Sequence, residues 1–192
     1  MKNNKGKIIV ISAPSGAGKS TIVQNVLARF PDLVFSVSAT TRRKRSGEIE
    51  GVHYFFLDKN DFEEKIKNGA FLEWEQFYGY YYGTFRDFVE NNINSGKNVL
   101  LELDVKGALS VKKIYPDSAL IYIEPPNLDE LIKRLKNRKT ESEEDLKKRI
   151  QRAEMELSMK DNFDYLVTNE NLDVAISQVL SIVEKIINKE NI

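Results

Sequence analysis

Nine consecutive residues near the start of the chain, Ala13-Pro14-Ser15-Gly16-Ala17-Gly18-Lys19-Ser20-Thr21, have the types and spacing of a polyphosphate cradle. Gly16 and Gly18 allow backbone N–H groups to turn toward phosphate oxygens, and a helix expected to begin near Lys19 adds the positive end of its dipole. Lys19 can reach the β- and γ-phosphates of a nucleoside triphosphate. The Ser20 hydroxyl is the expected ligand for the Mg²⁺ that bridges them. The common form of such a loop is G-x-x-x-x-G-K-S/T, and Ala13 stands where its first Gly would be.

Further along, Leu100-Leu101-Glu102-Leu103-Asp104 carries two acids spaced by two at the end of an expected strand. They suit a metal–water shell, and equally the solvated end of a strand. A second anion site is suggested by Arg42 and Arg45 in the loop Thr41-Arg42-Arg43-Lys44-Arg45-Ser46-Gly47, with Tyr54 and Tyr82 as phenolic donors. Guanidinium plus phenol fits a dianionic monophosphate; the same residues also read as a basic loop solvated over an aromatic core. No Asn/Thr-Lys-x-Asp segment of the kind a GTPase uses to read its base is present. His53 and Trp74 are read as structural.

The elements that must position these groups follow from hydrophobic period and punctuation. Ile8 to Ile11 is a β-branched run closed by Pro14 and glycines, which predicts a buried strand entering a tight turn. Ile22, Val23, Val26, Leu27 and Phe30 then recur at helical spacing until Pro31. Short strands are predicted at Leu33 to Ser38, Asn98 to Asp104, Ala119 to Ile123 and Tyr165 to Val167, the later ones separated by helices, so a parallel sheet is expected. The region from Thr40 to about Ser95 breaks this rhythm. It holds most of the eight Tyr and ten Phe and predicts an inserted small mixed sheet facing a cleft. The charged stretch from Arg134 to Arg149 has little apolar content and reads as a lid, with Thr140 or Ser142 capping a new helix.

Composition bounds the alternatives. The 192 residues carry 29 Lys plus Arg against 29 Asp plus Glu, so only a local basic patch, and no general affinity for nucleic acid, is expected. With 41% apolar residues the chain can bury a core as one domain. The absence of Cys and the single His remove disulfides, thiolate chemistry and His-rich metal sites. No apolar run approaches the roughly 20 residues of a membrane span, and a soluble, cytoplasmic protein without membrane contacts is expected.

Several motifs in one order make the resemblance specific: the loop at 13–21, Ser36-Val37-Ser38-Ala39-Thr40-Thr41-Arg42 with Arg45 and Gly47-Glu48, Gly51 through Tyr54, and Phe71-Leu72-Glu73-Trp74. They continue with Tyr81-Tyr82-Gly83-Thr84, Glu102-Leu103-Asp104-Val105-Lys106-Gly107, and Arg134-Leu135 with Arg138. From Lys7 to about Ile187 the chain resembles a guanylate kinase. The resemblance implies a P-loop α/β three-layer fold with a parallel core sheet at about 1–37, 96–136 and 150–192. It further implies a GMP-binding insertion at about 38–95 and a helical lid at about 137–149.

By the same resemblance Glu73 reads guanine, whose N1–H and N2–H₂ are adjacent donors suited to a carboxylate, whereas adenine presents an acceptor at N1. Ser38 and Thr84 complete base recognition, Thr84 by donating to O6. Arg42, Arg45, Tyr54 and Tyr82 hold the GMP phosphate, and Glu102 and Asp104 lie near the metal and the base edge, Asp104 reaching Mg²⁺ through water. Arg134, Arg138 and Arg149 neutralise the transferring phosphoryl group together with Lys19, and Asn169 approaches adenine. Lys139 departs from the family, in which a Gly is common there.

The expected activity is transfer of the γ-phosphoryl of ATP·Mg²⁺ to GMP, with dGMP a second acceptor, in purine nucleotide metabolism. Two rivals remain: a noncatalytic scaffold of the same fold that binds phosphorylated peptides, against which Lys19, Ser20 and the lid arginines count, and a kinase for another monophosphate. The sequence leaves monomer or homodimer open.

Overall fold

The computed structural model describes residues 5–136 and 143–188. Five parallel strands form the core sheet in the order β2-β7-β1-β8-β9, where β1 is Ile8–Ser12, β2 Val34–Ser36, β7 Val99–Leu103, β8 Ala119–Glu124 and β9 Tyr165–Thr168. Every residue of β1 is buried, as a central strand covered on both faces requires. Its alternate side chains serve two cores. Ile9 and Ile11 pack with Ile22, Val23 and Val26 of α1 (Lys19–Arg29) and Val179 and Val183 of α7 (Leu172–Asn188). Ile8 and Val10 pack on the other face with Val89 and Ile93 of α3 (Arg86–Asn94) and Val105, Ala108 and Val111 of α4 (Val105–Ile114).

The segment Leu33 to Ser38, expected as one strand, is a strand only over Val34–Ser36, after which the chain crosses to a second sheet. Core pairing ends where Ser36 meets Leu101, and Ala39 and Thr40 (β3) pair instead with β4 (Phe55–Phe56) and β6 (Tyr80–Phe85). With β5 (Phe71–Phe77) these make a four-stranded mixed sheet in the order β4-β3-β6-β5, so the expected parallel core and small mixed sheet are both found. The amphipathic helix expected around Phe62 and Ile66 is α2 (Lys59–Lys67), capped by Asp58, which accepts from the Asp61 N–H. Phe62 fills the small sheet's own core, its ring 4.3 Å from Phe71 and 5.2 Å from Tyr81.

Two further helices pack beside the phosphate loop and the end of β7. α5 (Leu128–Lys136) and α6 (Glu143–Ser158) bury Leu131, Leu135 and Ala153 against one another. The expected caps Thr140 and Ser142, together with Arg138 and Lys139, lie outside the described residues. Among the described residues no helix is long and apolar enough to cross a membrane.

Candidate active site

The phosphate loop leaves β1 and runs into α1 as its residue types require. Gly18, at φ 92°, is the residue before the helix and offers no side chain to cap α1, so the first-turn N–H groups, which have no intrahelical acceptor, are suited to an anion. A Cβ at Gly18 would also lie 2.5 Å from the Asn169 carboxamide nitrogen. That carboxamide is buried and donates to the Ala17 carbonyl at 2.8 Å, so Asn169 braces the loop from behind. The Asn169 carbonyl in turn accepts from Arg134 at 3.2 Å, which fixes one of the expected arginines beside the loop.

The turn from β7 into α4 receives the loop's two reactive side chains. Lys19 donates from Nζ to the Leu103 carbonyl at 2.8 Å, and Ser20 donates from Oγ to Glu102 Oε1 at 2.8 Å. Hydroxyl and carboxylate oxygens are the hard donors Mg²⁺ prefers, so Ser20 and Glu102 have the chemistry to hold the ion beside the phosphate loop. The two acids thus serve different neighbours. Glu102 reaches the loop, whereas Asp104 caps α4 by accepting from the Gly107 N–H at 2.8 Å and accepts from Arg152 Nη2 at 3.0 Å.

On the far side of the same turn stands Glu73 of β5, only 8% exposed. Thr84, opposite it on β6, donates to Glu73 Oε1 at 2.6 Å. Burial, seconded by the negative charges of Asp104 and Glu75, pushes the Glu73 carboxyl up to about 7 against the opposing pull of the Thr84 bond. The first turn of α4 comes so close that a Cβ on Gly107 would lie 2.7 Å from Glu73 Oε2. Ser38, half-buried, passes from the core to the small sheet just before β3.

Arg42 is held by a two-pronged bond to Glu48, Nη2 to Oε1 at 2.7 Å and Nη1 to Oε2 at 3.0 Å, and lies over the Tyr54 ring at 5.4 Å. The carboxylate fills the guanidinium fork as phosphate oxygens would, holding Glu48 below the usual carboxylate range and raising Arg42. Arg45 donates its backbone N–H to Glu48 Oε2 at 2.7 Å while its side chain is exposed. Tyr54 meets Tyr82 edge-on at 6.1 Å, so three of the four expected phosphate ligands share one corner. His53 accepts at Nδ1 from the Ile49 N–H, a loop lock. Arg149 is half-buried on α6.

Sequence reasoning passed over three residues here. Glu48 entered only as part of a motif, although its three-residue reach back to Arg45 is a loop-closing distance. Arg152 and Glu156 are visible only as an i, i+4 pair on α6, bonded at 2.7 Å. Nothing in the sequence points to their partners across space.

Comparison with known proteins gives the family. The family model described as guanylate kinase matches residues 5–186. The chain belongs to the guanylate kinase family. Guanylate kinases similar to it include that of Chlorobium chlorochromatii, 53% identical over 91% of this chain and 92% of the relative, and that of Thermotoga maritima, 49% identical over 93% and 86%. The crystal structure of the guanylate kinase from Anaplasma phagocytophilum superposes with a TM-score of 0.80 at 29% identity, covering 98% of this chain and 90% of that one. The α/β P-loop fold expected from the sequence is the fold of this guanylate kinase family member.

Proposed function

We propose that this member of the guanylate kinase family carries out the ATP:GMP phosphotransferase reaction across the turn between β7 and α4. One observation supports this most directly: residues 102–107 touch both half-sites at once, Glu102 and Leu103 bonding Ser20 and Lys19 of the phosphate loop and Gly107 lying against Glu73. A donor on the loop and an acceptor base on Glu73 are thereby brought to the same edge, as in-line transfer needs.

In this reading residues 13–21, braced by Asn169, hold the ATP phosphates. Ser20 and Glu102 would hold Mg²⁺, with Asp104 contributing through water, and the ion would supply positive charge against the ATP phosphates. Glu73 accepts N1–H and N2–H₂ of guanine, Thr84 turns its hydroxyl to O6, and Ser38 borders the base. Arg42, Arg45, Tyr54 and Tyr82 take the GMP phosphate, which replaces Glu48 in the Arg42 fork. Lys19, Arg134, Arg138 and Arg149 neutralise the moving phosphoryl group. The 38–95 insertion and the 137–149 lid close over both nucleotides and exclude water. ATP, GMP and dGMP are the small-molecule substrates, and the cytoplasm is the proposed compartment.

The test is coupled ADP release from ATP·Mg²⁺ with GMP, dGMP, AMP, CMP, UMP and dTMP offered separately. Turnover with the guanine nucleotides alone is expected. Turnover with none would favour a phosphopeptide-binding scaffold, and preference for another base would remove Glu73 from base reading.

A further inference from the structure

Among the charged groups given no role above, Arg152 on α6 is one that joins both sheets. Its guanidinium is engaged on three sides. Nη2 bonds Asp104 Oδ2 at 3.0 Å, Nε bonds Glu156 Oε1 at 2.7 Å, and Cζ lies 4.1 Å from the centre of the Phe77 ring. Phe77 is the last residue of β5, in the small sheet, whereas Asp104 caps α4 directly after β7 of the core sheet. One planar cation therefore joins the two sheets.

The contact continues beyond Phe77. Its ring stacks on Tyr82 at 4.4 Å and 12°, Tyr82 meets Tyr54 edge-on, and Tyr54 lies under Arg42. An unbroken row of carboxylate, cation and rings runs from Asp104, beside the reacting edge, to the guanidinium assigned to the acceptor phosphate. Only Arg can fill the joint, because the position needs a charge for two carboxylates and a flat face for a ring. Glu156, 3% exposed, would be a buried charge without it.

We propose that Arg152 is a positioning residue for the acceptor nucleotide: it sets the orientation of the Asp104 carboxylate and seats the Phe77–Tyr82 stack, so that core and small sheet present one geometry to the monophosphate. This rests on the reading of the cleft as a GMP site. Arg152 contacts no reacting atom in this scheme. Its influence passes through Asp104 on one side and Tyr82 on the other.

Steady-state kinetics of wild type, Arg152→Lys, Phe77→Leu, Phe77→Tyr and the Arg152→Lys/Phe77→Leu double variant test it, with melting temperature and calorimetric GMP binding alongside. Lysine keeps the charge beside Glu156 but loses the fork and the flat face. The GMP KM and Kd should rise about 10-fold in Arg152→Lys and in Phe77→Leu, with the ATP KM within about 2-fold of wild type. Phe77→Tyr, which restores the ring, should recover most of the loss. The double variant should be no worse than the weaker single variant, because both break one row. An unchanged GMP KM in Arg152→Lys, equal weakening of ATP and GMP, or additive losses would overturn the proposal. Should Arg152→Lys fail to fold, the Phe77→Leu and Phe77→Tyr pair decides it alone, since both leave the ion pairs intact. A wild-type protein that does not phosphorylate GMP would overturn the underlying reading and this inference together, whereas active wild type with indifferent variants overturns only the inference.

Discussion

Thr84 donates to Glu73 at 2.6 Å in a setting where burial has already pushed the Glu73 carboxyl up to about 7. The hydroxyl supplies one hydrogen bond to a group that, fully ionised, would call for more. A guanine edge brings two further donors. The free protein thus holds a carboxyl near its midpoint at neutral pH, and the ligand completes the case for the charged form.

The first consequence concerns stability. A carboxyl whose folded value lies above its ordinary 4.5 favours the native state fully below that value and loses the benefit as pH rises through about 7. Between those limits the ligand-free protein should lose on the order of 3 kcal/mol relative to Glu73→Gln, which does not titrate. Parallel denaturant titrations from pH 4.5 to 8 measure the difference. A constant gap between the two proteins would show that Glu73 titrates normally.

GMP binding should reverse this preference and expel a proton. At pH 6 the free Glu73 is mostly protonated, so wild type should release close to one proton more per GMP bound than Glu73→Gln, which keeps only the release from the nucleotide's own phosphate; the difference falls toward zero above pH 8. Calorimetry in two buffers of different ionisation heat gives the number directly. ATP binding at the other site should release none through Glu73.

Lys19→Ala should fold and lose at least about 10²-fold in kcat, the scale on which preorganised charges act in a transition state. The structure makes folding the safe part of this expectation. Lys19 donates to a single carbonyl, that of Leu103, at a half-buried position.

Glu102→Gln should raise the Mg²⁺ concentration needed for half-maximal activity by about 10-fold while sparing GMP affinity, because the bond from Ser20 places this acid on the loop side of the turn. A magnesium titration at saturating ATP and GMP checks it. The same shift in Asp104→Asn alone would assign the ion to the other acid.

Much of this was readable before any coordinates. Local chemistry announces itself in order: a β-branched run, a glycine turn and a helix stripe specify the phosphate loop, and Phe62 and Ile66 specify α2. What resisted reading depends on pairs far apart in the chain. The Leu33 to Ser38 run looks like one strand because hydrophobic period does not say where pairing stops; core pairing ends at Ser36, and the next paired residues, Ala39 and Thr40, already belong to the small sheet. Glu102 and Asp104 share a spacing that implies a common face, yet Asp104 leaves the strand to cap a helix. The bond from the Asn169 carboxamide N–H to the Ala17 carbonyl joins residues 152 positions apart, which no local pattern announces.

The last prediction separates site geometry from fold stability. Gly107 lies within the first turn of α4, where Ala is the better helix former by about 1 kcal/mol. On backbone grounds Gly107→Ala should therefore leave the protein as stable as wild type or more so. The added methyl, however, would sit 2.7 Å from Glu73 Oε2, closer than a carbon and an oxygen tolerate. The helix is anchored by the Asp104 cap and by buried Val105, Ala108 and Val111, so the carboxylate is the partner that yields. Its displaced oxygen is the one the Thr84 hydroxyl does not bond, and in the proposed reading it accepts from guanine. The GMP KM should rise about 10-fold or more, the ATP KM should not move, and the melting temperature should hold or increase. Loss of GMP affinity with a lowered melting temperature would mean that the helix, and not the base reader, had shifted; an unchanged GMP KM would mean that Glu73 Oε2 does not face the base.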